Sequence, residues 1–196
     1  MKTFKKGAGF KLVAAFTLSV FFIHNAIAGE IELKPGQNNE FRITENLWQT
    51  LAFTHSTSNI ATLEINADNK LFTRLIMQGY SRTDEVGSPE LPVRRELIEV
   101  PLGATPKVTI KKAIYRDIDL AELGYPYPLM PAQAPAVKSN DTHPFDYNPN
   151  AYMQDAYYPK ELVSFEILGV MRSYRIGRLD IFPVQYNAVK HTLRVY

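Results

Sequence analysis

The sequence predicts an all-β fold: an antiparallel β-sandwich that carries one long loop rich in proline and tyrosine. Aromatic and β-branched residues recur in short runs separated by Gly, Pro, Asn and Asp, and no long stretch has apolar residues at helical spacing. The clearest runs alternate apolar and polar residues with period two, which is typical of strands with one buried and one solvated face. Two packed antiparallel sheets satisfy that pattern.

The N-terminus has the order of a secretory signal peptide. A basic start with four lysines precedes an apolar run over residues 12–23, and Ala26-Ile27-Ala28 forms a small-x-small cleavage site before Gly29. The apolar run is shorter than the roughly 20 residues of a membrane-spanning helix. We expect residues 1–28 to be removed after Ala28, with export to the periplasm or the extracellular space and no stable membrane insertion. The alternative is that residues 1–28 stay attached as an uncleaved N-terminal membrane anchor.

Composition narrows the function of the remaining domain, residues 29–196. The chain has 22 basic and 20 acidic residues, and the predicted signal peptide accounts for four lysines and no acid. The exported domain therefore has a small excess of acidic residues. It lacks the excess of basic residues that is typical of nucleic-acid-binding domains. The sequence contains no cysteine, which excludes disulfides and a thiolate nucleophile or metal ligand.

Strands are predicted wherever β-branched and aromatic runs lie between turn residues. The predicted strands are 41–44, 48–54, 60–65, 72–77, 93–100, 107–119, 163–174, 178–186 and 192–196. Alternation is clearest in residues 108–120, where one predicted buried face carries Val108, Ile110, Ile114, Ile118 and Leu120.

The last two predicted strands read as a hairpin. Residues 187–190 form the predicted turn between them. Pro183 falls inside the first arm, and because proline cannot donate to a sheet ladder, it implies an edge position or a bulge there.

Two stretches are not predicted as regular structure. Residues 81–92 contain Gly87-Ser88-Pro89-Glu90-Leu91-Pro92, in which the prolines favour extended geometry and the glycine permits a turn. Residues 124–159 hold seven of the 13 prolines and six of the 11 tyrosines. A segment this long and this aromatic is expected to order against a surface and to have a function.

The sequence offers little for catalysis or metal binding. His55, His143 and His191 lie far apart, without companions at metal-ligand spacing, and are interpreted as loop or surface histidines. No phosphate-binding loop, nucleophile elbow or zinc-protease helix motif is present. We therefore predict no metal and no cofactor. A pair of carboxylates contributed by distant strands, as in a glycosidase, stays open as an independent active site.

Three groups of segments together resemble one known family. They are, in chain order, residues 87–93 with 98–104, residues 127–135, and residues 171–176 with 183–187 and 193–196. Their order and spacing are similar to those of the N-terminal propeptide of gingipain-type cysteine peptidases, over essentially all of residues 29–196. The positions that carry the resemblance are Gly87, Pro89, Leu91, Pro92, Pro101, Gly103, Arg172, Pro183, Gln185, Tyr186 and Asn187.

The resemblance implies a non-catalytic β-sandwich that precedes a catalytic domain, assists its folding and covers its active-site cleft until it is cleaved away. The partner is then a cysteine peptidase catalytic domain, normally in the same precursor. In the family the chain continues beyond the equivalent of Tyr196 into the peptidase, so this sequence is either part of a longer precursor or a propeptide that stands alone.

An inhibitory loop for a peptidase that cuts after Arg or Lys should present one cation to a carboxylate-lined pocket. Lys138 is the candidate, because proline-rich flanks limit the flexibility of the loop around it. The accompanying loop candidates are Tyr127, Pro128, Pro131 and Pro135. The alternative is that Lys138 is an ordinary loop lysine that contacts only solvent. If another loop enters the cleft, the candidate cations are Arg94, Arg95 and Arg172.

Two other functions remain open at this stage. An exported β-sandwich that binds carbohydrate or mediates adhesion would also use tyrosines and Trp48, which can stack on sugar rings. A hydrolase that acts alone is the weaker alternative, because no nucleophile and base occur at a recognisable spacing.

Overall fold

Strands form nearly all the regular structure in residues 28–135 and 144–196, the parts of the chain that a computed structural model describes. The predicted signal peptide up to residue 27 and the candidate Lys138 lie outside the described residues. The elements are β1 (Ala28–Glu32), β2 (Glu40–Leu47), β3 (Thr50–Ser56), β4 (Asn59–Ala67), β5 (Lys70–Ile76), β6 (Ser81–Arg82), β7 (Pro92–Glu99), β8 (Arg116–Asp119), α1 (Pro149–Tyr152), β9 (Val163–Met171), β10 (Tyr174–Ile181), β11 (Val184–Asn187) and β12 (Thr192–Val195).

The strands pair antiparallel in four groups. The orders are β1-β4-β5, β6-β7-β10-β9 and β11-β12-β8, with β2 and β3 forming a separate hairpin. This arrangement confirms the predicted all-β, antiparallel, sandwich-like fold. Among the residues described, no helix has the length and apolar character needed to cross a membrane.

One buried cluster joins the sheets to the Pro/Tyr-rich segment. It combines side chains of β1, β4 and β5 with others of β8, β11 and β12, and Leu129 of the segment packs among them without exposure to solvent. Burying an aliphatic side chain of this kind stabilises the fold by about 1.5–3 kcal/mol. The segment is therefore part of the core and not an appendage of it.

Two predicted strands each prove to be two strands. Residues 163–174 divide into β9 and the start of β10, because Arg172 and Ser173 adopt φ values of 49° and 73° and form a two-residue hairpin turn. The prediction of one strand over residues 178–186 is also wrong, since Phe182 and Pro183 separate β10 from β11. Pro183 thus lies between strands and needs no bulge. The predicted turn after Asn187 is confirmed by the β11–β12 hairpin.

The strand predicted over residues 107–119 is wrong for most of its length. Only Arg116–Asp119 pairs, as β8 with β12. Ile118 and Leu120 are buried as predicted, whereas Val108, Ile110 and Ile114 are 38%, 50% and 69% exposed. The reason is that β12 ends at Val195, opposite Arg116, so the residues before β8 have no neighbouring strand among those described.

The β2–β3 hairpin meets the rest of the molecule through His55 of β3. Its Nε2 hydrogen-bonds the Tyr80 hydroxyl, and the two rings meet edge to face with centroids 5.8 Å apart. Arg94 of β7 lies over the Tyr80 ring. The prediction that His55 is a loop or surface histidine is therefore wrong, because it lies in β3 and bonds the Tyr80 hydroxyl. Burial, with Arg94 and Lys34 nearby, lowers the pKa of His55 to about 4.

The packing of β9 against β10 predicts the effect of Gly177→Ala. A Cβ atom at this position would overlap the ring of Phe165 on the neighbouring strand. We expect a loss of about 1–3 kcal/mol in the free energy of unfolding, measured by urea denaturation. The substitution should cost less in a Phe165→Ala background, where the ring is gone; an equal cost in both backgrounds would contradict the packing described.

The environment of His55 predicts a pH-dependent stability. Its pKa is lower in the folded chain than the unfolded value near 6.5, so its contribution is intact above pH 6.5 and is lost as the pH falls toward about 4. Each pKa unit corresponds to about 1.4 kcal/mol, so we expect a loss of roughly 2–3 kcal/mol across this range. Denaturation curves at several pH values should show a smaller loss for His55→Gln. Equal losses in both chains would contradict the assignment.

Candidate functional site

The first half of the Pro/Tyr-rich segment lies on β5 like a short extra strand. The Thr73 amide donates to the Pro128 carbonyl oxygen over 2.8 Å, and the Met130 amide donates to the Thr73 carbonyl oxygen over 2.8 Å. On its other side, the Met130 carbonyl oxygen accepts from the Glu90 amide, also over 2.8 Å. These bonds fix the course of residues 128–132, here called the first limb.

The Gly87–Pro92 motif, here called the wall, lies on the opposite side of the first limb from β5. β5 and the wall together form the seat of this limb. The Gly87 amide donates to the Ala132 carbonyl oxygen over 2.8 Å, the Ala132 amide donates to the Ser88 carbonyl oxygen over 2.9 Å, and the Asn148 amide donates to the Gly87 carbonyl oxygen over 3.0 Å. Gly87 has φ of +80°, and a Cβ there would lie 2.9 Å from the Asn148 nitrogen. Only glycine fits, because one residue holds both halves of the segment.

The buried carboxylate of Glu90 stiffens the Gly87–Pro92 motif. Glu90 Oε1 lies 2.9 Å from Arg74 Nε and 3.2 Å from Arg82 Nη1, and its side chain is 8% exposed. Leu91 is fully buried, and its amide donates to Thr83 Oγ1 over 2.9 Å. Charge pairing and hydrogen bonding therefore oppose movement of the wall that carries the first limb.

The second half of the segment returns over the first. Phe145 packs on Phe72 of β5 with ring centroids 5.4 Å apart, and Tyr147 stacks on Tyr152 at 4.7 Å. The Tyr152 hydroxyl donates to the Leu129 carbonyl oxygen over 2.8 Å. Burial raises the pKa of Tyr152, so this hydroxyl keeps its proton. Residues 145–152 are called the second limb.

A reciprocal pair closes the loop between the two limbs. Gln133 accepts from the Asp146 amide over 3.0 Å and donates to the Asp146 carbonyl oxygen over 2.9 Å, while the Asp146 carboxylate accepts from the Ala134 amide over 3.0 Å. We call this pair the Gln133–Asp146 clamp. It brings together the two ends of the stretch in which Lys138 lies by sequence. The sequence alone does not predict the clamp, because no local spacing rule links residues 13 positions apart.

The 183–187 motif holds the far end of the segment. Gln185 Nε2 donates to the Pro159 carbonyl oxygen over 2.7 Å, and the backbones of Tyr186 and Tyr158 exchange two hydrogen bonds of 2.7 and 2.9 Å. Asn187 Nδ2 donates to Asp155 Oδ1 over 2.8 Å. The Gly87–Pro92 and 183–187 motifs thus share one role, which is to bind the segment to the sheets.

The other predicted site residues are distributed around this seat. Pro131 and Pro89 are buried where the first limb meets the motif, Tyr127 and Pro128 are half-buried, and Pro135 is exposed next to the clamp. Pro131 is therefore buried in the first limb, where it lies against Pro89.

Of the alternative cations, Arg172 is the exposed one. Arg94 is paired with Glu96 and Arg95 with Asp84 at 2.9 Å, whereas Arg172 lies at the β9–β10 turn. Pro101 and Gly103 form a neighbouring turn, in which Gly103 has φ of +79° and the Arg175 guanidinium donates to the Ala104 carbonyl oxygen over 2.6 Å.

The histidines that the structure describes have structural partners. His191 Nδ1 is 2.8 Å from the Tyr186 hydroxyl, and its Nε2 is 2.7 Å from the Tyr125 carbonyl oxygen. His143 lies outside the described residues. Within residues 28–135 and 144–196, no group of three or more His, Asp or Glu side chains could hold a metal ion.

A family model described as Propeptide_C25 matches residues 36–196. The chain belongs to this family. The predicted resemblance to gingipain-type propeptides is thereby confirmed. Lys-gingipain HG66 and Lys-gingipain W83, both from Porphyromonas gingivalis, are 37% identical to this propeptide over 154 residues, or 78% of the chain. The chain spans only 9% of the length of these relatives.

Two solved structures are similar to this propeptide. One, on the zymogenic latency of gingipain K from Porphyromonas gingivalis, has a TM-score of 0.77 at 34% identity, covering 86% of this chain and 93% of that one. The other, a complex of the pro- and mature domains of RgpB from the same organism, has a TM-score of 0.68 at 18% identity, with 82% and 81% covered. The second likeness is one of fold alone.

The double role of Gly87 predicts that Gly87→Ala will detach the limbs. Gly124 has a similar φ of +87° but open space around it, so Gly124→Ala is a matched control for backbone strain. We expect Gly87→Ala to lower the free energy of unfolding by about 1–3 kcal/mol more than Gly124→Ala does. Amide hydrogen exchange should be faster at Ala132 and Asn148 in the first variant alone. Equal effects at both glycines would contradict the contacts described between Gly87 and the two limbs.

Proposed function

We propose that this propeptide keeps a gingipain-like cysteine endopeptidase latent and assists the folding of its catalytic domain. The observation that supports the proposal best is the Gln133–Asp146 clamp on its seat. The clamp joins residues 133 and 146, the two ends of the stretch that contains Lys138 in the sequence, and the family is that of peptidase propeptides. In this reading the propeptide contributes no catalytic group and is exported with its peptidase by the predicted signal peptide.

Lys138 supplies the recognised cation in this proposal. A peptidase that cuts after a basic residue needs a carboxylate in its pocket, and an ammonium held there makes a desolvated ion pair. The loop costs little conformational entropy on binding when its ends are already fixed, as the clamp fixes residues 133 and 146. Both ends also stay attached to the sheets if the bond after Lys138 is attacked, which slows departure of the products.

Assistance in folding follows from the same contact. A ligand that binds the folded peptidase and not the unfolded chain stabilises the folded state by mass action, in proportion to the logarithm of its effective concentration over Kd. Covalent linkage in one precursor makes that effective concentration high. The similar gingipain K structure concerns zymogenic latency, which supports a contact between propeptide and peptidase in the precursor.

The proposal predicts that Lys138→Ala weakens inhibition. The catalytic domain of Lys-gingipain from Porphyromonas gingivalis is the available probe, with hydrolysis of a lysyl substrate as the readout. Loss of one partner of a buried charge pair costs about 2–5 kcal/mol, so we expect the inhibition constant to rise roughly 30-fold or more.

Lys160→Ala, which removes the exposed lysine that follows the Pro/Tyr-rich segment, is the matched control and should leave inhibition unchanged. An unchanged inhibition constant for Lys138→Ala removes Lys138 from the mechanism. Complete absence of inhibition by the unsubstituted chain, together with retention on a polysaccharide column, would replace the proposal with a carbohydrate-binding role.

A further inference from the structure

One end of the molecule exposes large apolar side chains from two neighbouring parts of the chain. The tip of the β9–β10 hairpin exposes Met171 and Tyr174, and β7 beside it exposes Leu97. Leu102 is 75% exposed, and every residue from 105 to 117 is exposed. We call residues 97, 102, 105–115 and 170–174 the basic apolar end.

Hydrogen bonds join residues 100–104, from which residues 105–115 continue, to Arg175 beside the hairpin tip. The Val100 amide donates to the Arg175 carbonyl oxygen over 2.8 Å, and the Arg175 guanidinium donates to the Ala104 carbonyl oxygen. A shallow groove of about 260 Å³ lies there, lined mostly by apolar side chains. Its lining residues are Leu97, Ile98, Glu99, Met171, Arg172, Tyr174 and Ile176.

The charge of this end has one sign. Lys107, Lys111 and Lys112 lie in this end, and the stretch from Pro101 to Arg116 contains no acid. Arg172 adds a fourth cation at the hairpin turn, and Glu99 is the single carboxylate in the groove lining. The surface therefore complements an acidic partner, although the exported domain as a whole has an excess of acids.

The backbone of this end is also available for pairing. No backbone hydrogen bond among the described residues involves residues 105–115. The same residues alternate Val108 and Ile110 with Lys107, Thr109 and Lys111, the pattern of a strand with one buried face. An amphipathic segment with free amide and carbonyl groups can add to the edge of another sheet.

Interface size makes a second contact necessary for a stable complex. A typical interface buries about 800 Å² on each partner and involves some 20–30 residues. The clamped loop spans only residues 134–145, which is too little by itself. Two copies of the basic apolar end would bring like charges together, which disfavours a second copy of this chain as the occupant.

We propose that the basic apolar end is a second docking surface for the peptidase domain, and that residues 105–115 pair with an acidic sheet edge there. This inference rests on the proposed function. The loop blocks the cleft. The cations of the basic apolar end speed association with the peptidase, and Leu97, Met171 and Tyr174 slow dissociation.

The test compares two variants with a matched control. The variants are K107E/K111E/K112E and M171S/Y174S, and the control is L47S/W48S at the tip of the β2–β3 hairpin, where both side chains are similarly exposed. The measurement is binding of the exported chain to the Lys-gingipain catalytic domain by surface plasmon resonance at several salt concentrations.

We expect the charge reversal to raise Kd about 10-fold or more, mainly through slower association, and to flatten the salt dependence. The apolar variant should raise Kd about 10-fold through faster dissociation. The control should stay within about twofold of the unsubstituted chain, and circular dichroism should be the same for all.

Kd values within twofold for both variants, with binding still weakened by Lys138→Ala, would overturn this inference and leave the proposed function intact. Failure of the unsubstituted chain to bind would remove the proposed function, and this inference with it. Two further outcomes overturn the inference alone: charge-dependent binding to phosphatidylglycerol vesicles with unchanged peptidase binding, or dimers of the chain that M171S/Y174S abolishes.

Discussion

The structure depends on the hydrogen bonding of one irregular strand. Residues 128–132 lie between β5 and the wall, and five backbone hydrogen bonds hold them there. Because Leu129 enters the core at the same point, the segment cannot be lifted without exposing apolar surface and leaving polar groups unpaired. Such a cost is what allows a long stretch rich in proline to serve as a stiff support.

The support and the loop have separate tasks. Glycine, proline and a buried glutamate at residues 87–92 provide rigidity, while the clamp gathers the ends of the loop. Under the proposed function, this rigidity lowers the entropy lost when the propeptide binds a peptidase. The basic apolar end has a different character: residues 105–115 make no backbone hydrogen bond among the described residues, and they are all exposed.

Local patterns in the sequence predicted much of the fold. β4, β5, β7 and β12 coincide with short runs of β-branched and aromatic residues between turn residues, because strand alternation and turn chemistry are local properties. The segment at 107–115 has the same alternation without a neighbour, and periodicity carries no information about pairing. The Gln133–Asp146 clamp was equally beyond reach, since its two residues share no motif and meet only after the limbs have folded.

The central claim is that the clamp prepares the loop for inhibition. A double-mutant cycle on Gln133→Ala and Asp146→Ala, with the inhibition constant of the peptidase as the observable, tests it most directly. The account predicts that each single substitution weakens inhibition, because Gln133→Ala removes the two bonds to the Asp146 backbone and Asp146→Ala removes the bond to the Ala134 amide. The two effects should not be additive, since these bonds hold the same two ends together. Inhibition constants that equal that of the unsubstituted chain in all three variants would contradict it.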